Sequence, residues 1–108
     1  MDSLFNSKNK GELISVIFLV IPTNGFCGFP YNQITFSLSI FEKESINDLK
    51  TKIQWHFPEE FKNVPFNIRA FDPETRTYRD LNLHDKVFVY FNGKSFSKYV
   101  DIVVESIN

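Results

Sequence analysis

The chain has 108 residues and a mass of 12.7 kDa, enough for one hydrophobic core and too little for a cofactor domain beside a substrate domain. Hydrophobic residues make up 43% and charged residues 23%, a balance that excludes an intrinsically disordered chain. Twelve Lys and Arg against thirteen Asp and Glu leave a net charge of -1, whereas proteins that neutralise phosphates carry a basic excess, so no nucleic acid is expected as partner.

Residues 1–11 are polar and predict a flexible N-terminal tail, followed by a single domain over 12–108. Residues 13–21 are apolar apart from Ser15 and follow Lys8 and Lys10. No small-x-small cleavage site comes after them, and the run is far below the ~18 residues a membrane span needs. It predicts a buried central strand, covered on both faces, and no membrane association. Pro22 ends it, and Asn24-Gly25, Gly28 and Pro30 mark a long first connection.

From Gln33 the pattern alternates, with Ile34, Phe36, Leu38 and Ile40 facing one way and Thr35, Ser37 and Ser39 the other. That is a half-buried strand. Ser45 stands three residues before Asp48 and ahead of Ile46, Leu49 and Ile53, which share one helical face, so an amphipathic helix starts here. Pro58 stops it by about Phe57. Residues 66–71 read as a strand, Asp72-Pro73-Glu74-Thr75 as a turn, and 76–81 as an antiparallel return. Lys86 to Phe91 is dense in β-branched and aromatic residues and predicts a strand. Asn92-Gly93 behind it suggests a hairpin turn with 94–99 as the return, and 100–107 predicts a C-terminal strand extension. One helix among several strands, with thirteen Phe and Ala70 as the lone alanine, makes an α+β domain: a mixed sheet with one amphipathic helix packed on one face.

The helix Ser45-Ile46-Asn47-Asp48-Leu49-Lys50-Thr51-Lys52-Ile53-Gln54 resembles the helix start of ubiquitin, and the strand over 34–40 resembles the hairpin strand before it. The element order over roughly 13–91 is similar too. The resemblance implies the ubiquitin-like β-grasp superfamily and a non-catalytic protein-protein interaction module. Ubiquitin-type modifiers end in Gly-Gly, whereas these residues end Glu105-Ser106-Ile107-Asn108, so a conjugatable modifier is not expected. The first connection is longer than a ubiquitin hairpin, and the apolar patch by which ubiquitin is read falls near Arg69. Asn24-Gly25-Phe26-Cys27-Gly28 and residues 87–99 also resemble doublecortin domains, which implies, as an alternative, tubulin or microtubule binding through a basic surface.

The candidate contacts follow from exposed aromatic and basic residues, the composition of interface hot spots. If Val87, Val89 and Phe91 face the core, Phe88 and Tyr90 turn outward beside Arg69 on the sheet face. Phe26, Phe29 and Tyr31 lie in the long first loop, either as a binding loop or as a cover for the core. Arg76, Arg79 and Lys86 extend Arg69 into a basic strip if the strands over 66–71 and 76–81 pair. Residues 98–107 offer a sheet edge for homo-oligomerisation, the basis of a self-associating scaffold as a further alternative.

No catalytic site, cofactor or metal is expected. Cys27 has no basic neighbour in sequence to activate it. His56 and His84 lack a ligand spacing, and Glu59-Glu60 sit on a loop where adjacent carboxylates diverge into solvent. A single cysteine in so small a chain favours a reducing, cytoplasmic compartment.

Overall fold

A computed structural model describes residues 11–72, 74–91 and 100–107. The strands are β1 (Leu13–Val20), β2 (Thr35–Phe41), β3 (Phe66–Asp72), β4 (Thr77–Asp80) and β5 (Ile102–Ser106), with α1 (Ile46–Trp55) between β2 and β3. They form a mixed sheet in the order β2-β1-β5-β3-β4, in which β1 and β5 run parallel and the remaining neighbours antiparallel. The architecture is α+β.

In the β1–β2 hairpin, Ile14 faces Ile40, Val16 faces Leu38 and Phe18 faces Phe36, so the apolar faces of both strands coincide. On the same side lie Phe66, Ile68 and Ala70 of β3 and Ile102 and Val104 of β5, all buried. Helix α1 covers this side. Its spacing puts Ile46, Leu49 and Ile53 on one face, each with no exposed surface. A capping box starts it: Ser45 Oγ accepts from the Asp48 amide and Asp48 Oδ2 accepts from the Ser45 amide, both at 3.1 Å.

The first connection folds inward. Phe26 and Phe29 are 0% and 5% exposed, and with Phe57, Phe61 and Phe66 they build an aromatic cluster whose ring centroids lie 4.9 to 6.4 Å apart. They are therefore core residues and not the contact residues expected of a binding loop. The reason is apolar area: the open end of the core beyond α1 would otherwise face water. Gly25 permits the approach. Its amide donates to Ser106 Oγ at 3.1 Å, and a Cβ there would lie 2.5 Å from that oxygen and 2.7 Å from Val64 Cγ1.

The strand expected over 86–91 is absent. Val87–Val89 is a single turn of 3-10 helix, held by the Val87 and Phe88 amides donating to the carbonyls of Glu44 and Glu42 at 2.8 and 2.9 Å. Tertiary hydrogen bonds to the end of the hairpin thus override the β propensity of Val-Phe-Val. The C-terminal strand is also placed differently from expectation: β5 lies between β1 and β3 and offers no edge. Among the described residues, the edges are β2 and β4. Residues 1–10 of the tail expected over 1–11, the Asn92-Gly93 hairpin and the return strand over 94–99 lie outside the described residues.

Candidate functional site

Opposite α1, the odd-numbered positions of β1, β2, β3 and β5 form the second face of the sheet. The registers align one row across it from edge to edge: Thr35, Leu19, Val103, Arg69 and Asp80. In the neighbouring row Ser37 faces Ile17 and Phe71 faces Tyr78, with Asp101 between them. Ile17, Leu19, Val103 and Phe71 are half-buried. Ser15, Ser37, Ser39 and Thr35 flank them as an exposed polar margin on one side.

On the other side Arg69 closes the row. Its Nε lies 3.3 Å from Asp80 Oδ1 and its Nη1 lies 3.4 Å from Glu105 Oε1. Exposed pairs of this kind add little stability. Their effect is positional: two carboxylates from different strands hold the guanidinium beside Val103, restricting an otherwise mobile side chain.

Of the expected contacts, Arg69 lies on this face and the others do not join it. Arg79 pairs with Ala70, one register step from Arg69, and alternation sends it to the opposite side. There its guanidinium carbon lies 5.2 Å from the Tyr90 ring centroid. Arg76 occupies the β3–β4 turn with a φ of 58°, and Lys86 precedes the 3-10 turn. The expected strip is therefore not formed on one strand face: the register puts Arg69 and Arg79 on opposite sides of the sheet, and Arg76 and Lys86 lie outside the strands.

Phe88 and Tyr90 are not sheet residues, since the segment is a turn. Phe88 is 41% exposed and Val89 48%, so the alternation expected between them is lost. Tyr90 is held from both sides: its hydroxyl accepts from the Asn82 amide at 3.1 Å and donates to Asp85 Oδ2 at 2.7 Å. The Asn82 bond favours the phenolate. Burial together with the hydrogen bond to Asp85 and its charge outweighs that bond and the nearby Arg79, leaving the Tyr90 pKa raised. Tyr31 is 89% exposed, on the 3-10 turn that leads into β2.

Ile17 and Leu19 were missed in the sequence because an apolar run on both faces reads as a strand covered on both sides, and Val103 because its place beside Leu19 depends on the pairing of β1 with β5. The signal available was Ser37 and Ser39 in the next strand, which cannot line a second core. Two clefts flank Lys50, of about 280 and 400 Å³; both are open to solvent and are lined by polar residues such as Asn47 and Gln54 together with apolar ones such as Leu81 and Leu83. Cys27 is exposed. The His56 ring lies 5.3 Å from that of Phe36 and serves as packing. Among the described residues, no His, Cys, Asp and Glu cluster is arranged to hold a metal ion, and no helix is long and apolar enough to cross a membrane. Comparison with protein-family models, with curated proteins and with solved structures finds no match for this chain.

Proposed function

We propose that this chain is a non-catalytic protein-interaction module of the ubiquitin-like β-grasp type, which binds another protein through the sheet face turned away from α1. The fold reading is supported by a single helix clasped against a mixed sheet, with the first and last strands parallel at its centre. The resemblance of the capped helix and its preceding strand to ubiquitin points the same way.

The observation that carries the functional reading is the row Leu19–Val103–Arg69. Half-exposed apolar side chains at the centre of a sheet, with hydroxyl residues on one margin and an oriented arginine on the other, have the apolar centre and polar rim of a protein interface. The doublecortin-like alternative requires a clustered basic face, and here Arg69 and Arg79 lie on opposite sides of the sheet while Arg76 and Lys86 lie outside the strands.

Quantitative affinity capture tests the reading. The full chain, a face variant (Leu19→Glu with Val103→Glu) and a control variant on the other side (Lys52→Ala) serve as baits. Expected is a set of proteins retained by the unaltered and control baits and lost at least tenfold from the face variant. Equal capture by all three, with the face variant shown to be folded by circular dichroism, would overturn the assignment of this face.

A further inference from the structure

The edges of the sheet differ in how they are guarded against other chains. β4 is four residues long, all exposed, and carries Arg79 and Asp80; short charged edges resist pairing. β2 is seven residues long, Thr-Phe-Ser-Leu-Ser-Ile-Phe, with neither a charge nor a proline. An edge strand of this length without such a guard is a template for another strand.

The register shows which main-chain groups are available. Val20 donates to the Ile34 carbonyl at 2.7 Å and Glu42 to the Glu12 carbonyl at 2.9 Å. By alternation Phe36, Leu38 and Ile40 likewise turn their amides and carbonyls toward β1. Those of Thr35, Ser37, Ser39 and Phe41 therefore point away from the sheet. At Phe41 both are taken up within the chain: the amide donates to Glu44 Oε2, and the carbonyl accepts from the Glu44 amide, each at 3.0 Å. Among the described residues, nothing takes up the outward groups of Thr35, Ser37 and Ser39.

We propose that β2 pairs antiparallel with β2 of a second copy of this chain, about a two-fold axis through Ser37. This register sets Thr35 opposite Ser39 of the other copy and Ser37 opposite itself, so that each available amide meets an available carbonyl. A register centred on Leu38 sets Thr35 opposite Phe41, whose groups Glu44 already holds. The side chains agree with the first choice. Hydroxyl residues meet hydroxyl residues on the open face. On the helix side Phe36 meets Leu38 and Ile34 meets Ile40, which joins the cores across the seam. No like charges face each other within the paired strands. The contact is isologous, as a two-fold dimer requires, and it sets two Leu19–Val103 patches side by side on one continuous sheet. An extended segment of an unrelated protein is the competing occupant. The self-complementary sequence favours the copy.

Sedimentation velocity of the full chain over a concentration series tests this, with S37K and S37E checked for folding by circular dichroism. The unaltered chain is expected to dimerise, and each variant alone to remain monomeric or to dimerise at least tenfold more weakly. An equimolar mixture of the variants is expected to recover the dimer, because Lys and Glu then face each other across the axis. Amide hydrogen exchange of the unaltered chain gives a readout independent of any variant: Thr35, Ser37 and Ser39 become protected as concentration rises. A chain monomeric throughout, a dimer unaffected by both substitutions, a mixture no more dimeric than its components, or exchange at these amides that is independent of concentration would each overturn the proposal.

Discussion

Asp101 binds Ile17 twice. Its main-chain amide donates to the Ile17 carbonyl at 2.7 Å, and its carboxylate Oδ2 accepts from the Ile17 amide at 2.8 Å. The parallel ladder between β1 and β5 begins at Phe18 and Ile102, so this side chain extends it by one residue. The Asp101 carbonyl accepts from the Phe71 amide at 2.9 Å, which ties the same residue to β3. Asp101 is 8% exposed; the centre of the sheet is thus joined across its order by one acidic residue.

Asp101→Ala leaves the part-buried Ile17 amide without this acceptor, a loss expected to cost about 1–3 kcal/mol. Asp101→Asn retains an acceptor oxygen and is expected to cost less. Urea denaturation reads both; the midpoint should fall with the slope unchanged, since the surface exposed on unfolding stays the same.

Tyr78 lies beside this residue, and its hydroxyl donates to the Val100 carbonyl at 3.1 Å. Burial, then the negative charge of Asp101, hold its phenol pKa above the usual tyrosine value. Because the folded state holds the proton more tightly, this contribution is fully present below the unfolded pKa and is lost as pH rises through the folded one. Ultraviolet titration should give a Tyr78 midpoint above that of a model tyrosine. Asp101→Asn should lower it while leaving the part due to burial, and a midpoint unchanged by that substitution would refute the electrostatic contribution.

Phe26 distinguishes a core role from a contact role. Its ring has no exposed surface, so Phe26→Ala is expected to destabilise the fold by about 3–5 kcal/mol. Tyr31→Ala, at an 89% exposed side chain, should stay within about 0.5 kcal/mol of the unaltered chain. Thermal denaturation of the pair measures the contrast, and similar losses would contradict the packing of the first connection.

Ser45 is the residue through which α1 begins. Ser45→Ala removes the acceptor for the Asp48 amide and is expected to cost about 1 kcal/mol, within the range for such caps. Combining it with Asp48→Ala should cost less than the sum of the single changes, because both belong to one reciprocal pair.

Sequence periodicity by itself determined β1, β2, the capped helix and the β3–β4 hairpin. Each rests on local features: alternation in 34–40, the Ser45 to Asp48 spacing, and turn residues after Phe71. It also put Arg69 on an outward face of the sheet, whereas the placing of the remaining expected contacts depended on which face or element each residue joined. A one-residue step in register sent Arg79 to the helix side, and the apolar content of Phe26 and Phe29 drew them into the core. Only the tertiary structure decided that β5 inserts between β1 and β3, that Val87–Val89 turns instead of extending, and that Leu19, Val103 and Arg69 share a row. The physical reason is range: helix caps and strand alternation are set by neighbours a few residues apart. Strand order and register are set by contacts between segments such as 17–20 and 101–104, whose pairing no local pattern encodes.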